Sequence, residues 1–336
     1  MKYALIDTAN TFSRAKHVAN KNSDLSEKIG MSLHLTLASC NQIFRKFDID
    51  HFVFAQEGRS WRKDFYKPYK ANRAVTALDQ TEAEVAESKM FWEVYESFTS
   101  YLRDKTNVSL LRNPNAEADD IIARFIHLHP DDEHFIISSD TDFLQLITDK
   151  VKQYNGITNQ LITTEGYFDD RGRIIKDKKT KEPKLLGDPQ FILFEKCMRG
   201  DSTDNVFSAY PGVRTKGSKN KVGLTEAYAD KDAQGFQWNN LMLQRWSDHN
   251  DVEHRVKDDY ERNKILIDLT AQPQEIKDAV DNSIRSGFRV DKVSNVGIHL
   301  MKFAGKHELI KISEQADSYA RWLNAPYPGN QNVKAS

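Results

Sequence analysis

Apolar residues along the chain fall into two kinds of run, and the difference predicts the fold. Short unbroken blocks, Ala4-Leu5-Ile6, Phe52-Val53-Phe54-Ala55, Leu110-Leu111 and Phe135-Ile136-Ile137, read as strands buried on both faces. Elsewhere apolar positions recur at helical spacing. Leu33, Leu37, Ile43, Phe44 and Phe47 predict an amphipathic helix over 31–47. Ile121, Ile122, Phe125, Ile126 and Leu128 predict another, with Asn115 as its expected N-cap. Strand, helix, strand with short joins is the βαβ unit of a parallel sheet.

The same reading predicts a long acidic-faced helix over 81–105 and a fifth strand at 151–154. Hairpin and loop follow over 160–187, then a helix from Pro189 to Met198 stopped by Gly200, and a helix over Leu224–Ala229. The rest, to about 325, reads as mostly helical, and 326–336 as a frayed tail. The expected fold class is α/β: a central, mostly parallel sheet flanked by helices, with a helical C-terminal region. The expected domains are 1–187 and 188–325.

Each strand block runs into an acid. Asp7, Glu57, Glu117 and Asp140 would meet at the carboxyl ends of parallel strands, the edge where open α/β sheets bind ligands. Asp119, Asp120 and Asp142 stand beside them. Singly these are ordinary: acids favour a helix's first turn, and two acids after a strand make a solvated turn. Their conjunction is the signal. Such a cluster repels itself and raises its own pKa values unless a cation sits in it. Oxygen ligands without Cys or His point to Mg²⁺, with Mn²⁺ as a substitute. Asp201 and Asp204, three residues apart, read either as helix-terminus acids or as ligands of a second ion. Two ions about 4 Å apart suit in-line phosphoryl displacement. The ten histidines form no HxxxH or triad-like spacing.

Composition narrows the class. The 336 residues are 39% hydrophobic and 29% charged, with no apolar run of 18 or more, which argues against a membrane span. An acid at position 7 comes too early for a signal peptide, and Cys40 and Cys197 lack CxxC spacing, so a cytoplasmic setting with reduced thiols is expected. The net charge of −1 hides strong segregation. Residues 59–73 hold six basic side chains against one acid, interleaved with Trp61, Phe65, Tyr66 and Tyr69. Residues 171–184 hold seven against two. Arg214, Lys216, Lys219 and Lys221 lie among Gly212, Gly217 and Gly223, a loop whose amides and lysines suit a phosphodiester. A snorkelling helix face and a plain surface loop are the bland readings of these basic stretches.

Six motifs in order resemble the structure-specific 5′-nucleases: the flap endonucleases, the 5′-nuclease domain of bacterial DNA polymerase I and the tailed-phage RNase H. They are LIDTAN, SWRKDFYKPYKANR, EADD, ISSDTDFLQL, GDSTDN and PGV with its Gly/Lys-rich turn, and the resemblance runs over about residues 1–270. It implies a PIN-like nuclease fold with a helical arch at about 59–105. It implies that Asp7, Glu117, Asp119, Asp120, Asp140, Asp142, Asp201 and Asp204 are metal-site acids. Lys70 and Arg73 would be the catalytic basic pair, with Arg62 in support, and Lys63, Lys67 and Tyr69 would bind the strand. Residues 211–227 would grip duplex DNA as a helix-three-turn-helix, with K⁺ in the turn. Where the family ends its second strand on Asp, this chain reads Ala55-Gln56-Glu57-Gly58, so Glu57 or Gln56 stands in. Its turn over 213–223 is also longer.

The function so implied is metal-dependent hydrolysis at 5′ ends and flaps of duplex DNA and RNA–DNA hybrids, as in primer removal during replication. Sliding clamp and single-strand-binding protein are the implied partners of a monomer. Two alternatives are a PIN-type ribonuclease, which shares the acidic edge but lacks the arch, and an inactive DNA-structure binder.

Overall fold

The computed structural model describes residues 1–18, 25–73, 79–219, 221–289 and 291–328. Parts of three expected features, the arch (at 74–78), the duplex-gripping turn (at 220) and the tail (from 329), lie outside the described residues. The chain divides into two units: residues 1–60, 80–186 and 274–336 form the first, and 61–79 with 187–273 the second.

The first unit is built on a seven-stranded sheet in the order β3-β2-β1-β4-β5-β6-β7. Its strands are β1 (Lys2–Asp7), β2 (His51–Gln56), β3 (Ser109–Arg112), β4 (Glu133–Ile137), β5 (Val151–Asn155), β6 (Gln160–Thr163) and β7 (Gly166–Phe168). Pairing is parallel from β3 through β5 and antiparallel from β5 to β7. The parallel blocks are buried on both faces, as their unbroken apolar runs require. Ala4, Ile6, Phe52, Phe54, Phe135 and Ile137 face one core, shared with the helices Leu25–Phe47 and Glu82–Lys105. On the other face Tyr3 meets Phe125 edge-on at 5.1 Å, from the helix Ala118–Leu128. The chain leaves β1 toward β2 and later returns to β4 on the other side. The β1/β4 junction is therefore the topological switch point, where open α/β sheets form their binding crevice.

The expected split near 187 needs correction. Helices Gln274–Gly287, Val296–Lys306 and Ala316–Leu323 belong to the sheet unit. Trp322 packs on Phe52 at 4.7 Å, Phe303 stacks on Tyr101 at 4.2 Å, and Arg124 grips Asp281 through two bonds of 2.7 and 2.6 Å. Residues 61–79 go instead with the second unit. Helical periodicity says that a face is apolar, not which partner it meets.

The second unit sets the helices Pro189–Arg199, Leu224–Ala229, Phe236–Met242 and Val256–Ile267 around Phe194, Met198, Leu224, Leu241 and Val256. A hairpin of β8 (Arg245–Ser247) and β9 (Glu253–Arg255) interrupts the stretch expected to be mostly helical. No helix among the described residues is long and apolar enough to cross a membrane.

Candidate metal centre and basic segment

Asp7 closes β1, and its register pairs it with Ala55 while Ile6 pairs with Ile137. This places Asp7 beside the residue after β4, Ser138, whose hydroxyl donates to Asp7 Oδ2 at 3.1 Å. The amide of Asn10 donates to the other oxygen at 3.2 Å. Burial, then the charge of Glu57, then that of Asp140, push the Asp7 carboxyl up to about 7 against these two bonds. Asp7 thus feels the charges of Glu57 and Asp140 across the ends of β1, β2 and β4.

Glu57 reaches this edge because Gly58 lets the backbone close in. A Cβ at Gly58 would fall 2.0 Å from the Asn113 carbonyl, and its amide donates to the Ala116 carbonyl at 2.9 Å. The Glu57 carboxylate then accepts from the amide of Ala118, at the positive end of the helix Ala118–Leu128. Gln56 is placed otherwise: its side chain bonds to the Tyr95 hydroxyl. Of the two candidates to replace the missing aspartate, only Glu57 meets the acids.

The N-cap of that helix is Glu117, not the expected Asn115. Asn115 instead donates its amide to the side chain of Asn113 at 2.9 Å. Glu117, Asp119 and Asp120 each offer an oxygen within 4.8 Å of the others. Ser60 donates to Glu117 at 2.5 Å, and Asp120 accepts from the Glu117 amide at 3.1 Å. Asp140 caps the 3-10 helix Thr141–Leu146 by accepting from the Asp142 amide. Its carbonyl is fixed by the Gln153 amide at 2.6 Å. Sequence reasoning passed over Ser60, Ser138 and Gln153, which orient the acids. Their only signal is position, since an isolated Ser or Gln has no pattern.

Asp201 and Asp204 lie in the second unit. Lys196 pairs with Asp201 at 2.8 Å and, against burial, which pulls the other way, holds it below the usual carboxylate range. Asp204 gathers the basic segment: Tyr69 donates its hydroxyl at 3.0 Å, Arg73 pairs at 2.9 Å and Lys70 at 3.4 Å. Lys70 is itself left-handed, with φ of 54°, and its amide is held by the Asp204 carbonyl.

The structure bears on the expectations for Arg62, Tyr69 and the Gly/Lys turn. Arg62 is fully buried, stacked on Trp61 and bonded to the Leu266 carbonyl at 2.8 Å, so it positions the segment. Tyr69, expected to meet nucleic acid, is buried among Leu193, Cys197 and Leu266. The exposed aromatic there is Phe65, beside exposed Lys63 and Lys67. In the Gly/Lys turn the amides of Gly217 and Gly223 both donate to Glu226 Oε2 at 3.0 Å. The protein's own carboxylate fills the cradle expected for a phosphodiester. Arg214, Lys216, Lys219 and Lys221 remain exposed around it.

The sequence pattern of the 5′-3′ exonuclease N-terminal, resolvase-like domain matches residues 2–172. Among curated proteins, the chain is 26% identical over 226 residues to a 5′-3′ exonuclease of Mycoplasmopsis pulmonis, covering 65% of each. It is 27% identical over 231 residues to the flap endonuclease Xni of Shewanella loihica, covering 68% of this chain and 77% of that one. Against DNA polymerase I of Rhizobium leguminosarum it is 27% identical over 186 residues, 54% of this chain. The match spans just under two thirds of the mycoplasmal relative and 15% of the polymerase. Among solved structures, the T5 5′-exonuclease with bound zinc ions superposes with a TM-score of 0.59 at 19% identity, covering 85% of this chain and 99% of that one. That likeness establishes the fold.

Proposed function

The chain belongs to the 5′-3′ exonuclease N-terminal, resolvase-like domain family, and from that premise we propose that it hydrolyses phosphodiesters at the 5′ ends and flaps of duplex DNA, using divalent metal ions. The observation that carries this reading is the carboxylate edge: Asp7, forced toward neutrality by burial and then by Glu57 and Asp140, beside the trio Glu117, Asp119 and Asp120. The donor set fits a hard divalent cation, since every group is a carboxylate oxygen and a positive charge would relieve the repulsion that Asp7 feels. Glu57, Asp7, Asp140, Asp142 and the trio would hold it; Mg²⁺ is the ion this set favours. When bound, such ions supply water activation and charge neutralisation at phosphorus.

The chain's own residues do the rest. Ser138, Asn10 and Ser60 orient the acids by donating to them, and Gln153 fixes the backbone of Asp140. In the second unit exposed Lys63 and Lys67 bind strand phosphates, and Lys70 and Arg73 act from the Asp204 anchor. The lysines around Gly217 and Gly223 grip duplex backbone, a contact that weakens with salt. RNA–DNA hybrids, K⁺ in that turn, a clamp or single-strand-binding partner, a monomeric state and a cytoplasmic setting belong to the same reading.

The test is cleavage of a 5′-labelled flap duplex by wild type and Asp140→Asn, with Mg²⁺ or EDTA. Mg²⁺-dependent cutting near the junction, lost in the variant, is expected. Intact binding with no cutting in Mg²⁺ or Mn²⁺ would overturn the reading in favour of an inactive binder.

A further inference from the structure

Next to the acidic edge lies a cleft of the opposite character. It opens between the carboxyl ends of β4 and β5 and the helix Leu25–Phe47, with a volume of about 250 Å³. No acid lines it among the described residues.

Three of its asparagines have their side-chain oxygens already engaged, which leaves their amino groups as donors. Asn10 turns its Oδ1 to the amide and hydroxyl of Ser139, at 3.3 and 3.0 Å. Asn155 spends its Oδ1 on the amides of Ile157 and Thr158, at 3.0 and 3.3 Å. Asn159 accepts from the Tyr154 hydroxyl at 2.9 Å. All three line the cleft, and among the described residues nothing takes up their Nδ2 groups. Arg14 adds a guanidinium. Ile157, 42% exposed, supplies an apolar surface at the wall.

Donors without acids select an anion with several acceptor oxygens, and an apolar wall beside them selects a flat ring. The volume lies just under the range of about 300–1,000 Å³ for small-molecule sites, which suits a single nucleotide and not a strand. We propose that this cleft is a subsite for one nucleoside 5′-monophosphate, its phosphate held by Arg14 and the three asparagine amides and its base laid on Ile157. The proposal rests on the nuclease reading, which supplies a nucleotide bearing a 5′-phosphate. The occupant is either the nucleotide released or the terminal nucleotide of the strand; the chemistry is the same.

The test is calorimetric titration in EDTA, which keeps metal-bound phosphate out of the signal, with dAMP, deoxyadenosine and inorganic phosphate. Wild type should bind dAMP one to one, and each half-ligand at least tenfold more weakly. Asn155→Asp and Asn159→Asp keep the Oδ1 bonds and turn the amino group into a charged oxygen. Each should weaken dAMP at least tenfold with an unchanged Tm. Equal affinity in wild type and both variants, or no dAMP binding by wild type, overturns the subsite. A lower KM for a 5′-phosphorylated than a 5′-hydroxyl flap, abolished in Asn155→Asp, would identify the strand's own end as occupant. The same KM for both flaps, with dAMP binding intact, would identify the released nucleotide. Flap cutting run on the same preparations separates the two ideas. Cutting without dAMP binding sinks the subsite alone; dAMP binding without cutting sinks the nuclease reading alone.

Discussion

Glu57 Oε2 accepts the amide of Ala118 at 3.1 Å, tying the end of β2 to the first turn of the helix that carries Glu117, Asp119 and Asp120. One carboxylate thus serves two purposes. It satisfies an orphan helix amide, and it adds its charge to the field that Asp7 feels.

The first prediction follows from that double use. Glu57→Gln keeps the reach and an acceptor for Ala118 but removes the charge. Cation affinity should fall about tenfold, on the order of the 1.4 kcal/mol that one weakened charge contact represents. A Mg²⁺ titration of flap cleavage should show a higher half-saturating concentration with the maximal rate largely regained. An unchanged Mg²⁺ requirement would mean that Glu57 is only a helix cap.

A pH prediction concerns Asp7. Its carboxyl, ordinarily near 3.8, is pushed up to about 7 by burial and by Glu57 and Asp140. The folded state therefore holds the proton more tightly than the unfolded one. Stability from this group is fullest below pH 4 and drains away as pH rises to 7, provided no cation is bound. In EDTA the Tm should drop between pH 4 and 7, and Asp7→Asn should flatten that drop and raise the Tm at pH 7. An identical slope in the variant would place the titration elsewhere.

How much of this was legible in the sequence differs by kind of residue. The strand blocks around Leu5, Val53 and Ile136 announced the sheet, and the acids after them announced its acidic edge, because both signals are local. Asn115 looked like a cap by residue type, yet the chain starts its helix at Glu117, since Gly58 draws β2 against Ala116. Tyr69 looked like a stacking aromatic and is buried, because its hydroxyl reaches Asp204, 135 residues away. The hairpin over Arg245–Arg255 escaped because its strands are three residues each, too short for alternation to register. Contacts between residues distant in the chain decided the places of Glu117 and Tyr69, and one sequence carries no record of them.

Lys70 pairs with Asp204 while its amide is held by the Asp204 carbonyl, so its backbone is fixed independently of its charge. Lys70→Met should leave the segment in place and remove the ammonium. If that group acts on the transition state, kcat should fall about 100-fold with Kd for flap DNA changed less than about threefold. A loss confined to Kd and restored at low salt would make Lys70 an ordinary phosphate contact.

Glu226 organises the Gly/Lys turn by accepting two amides through one oxygen, and those bonds, its own amide's first, hold its carboxyl below the usual range. Gly223 cannot be replaced as a remedy, since a Cβ there would lie 2.3 Å from the amide of Gly217. Glu226→Ala should release the turn and spread Arg214, Lys216, Lys219 and Lys221. Duplex affinity should fall about tenfold, while cleavage of a short single-stranded 5′ end changes little. Glu226→Gln keeps an acceptor oxygen and should retain most of the affinity. Sign matters for acid: the folded carboxyl is depressed below 4.5, so its contribution is present above that value and lost as pH falls through the folded value. Duplex binding by wild type, measured at fixed ionic strength by fluorescence anisotropy, should therefore hold from pH 8 to 5 and weaken below about 4.5, a decline missing from Glu226→Gln. Equal duplex affinity for Glu226→Ala and wild type would show that the lysines grip DNA without an ordered turn.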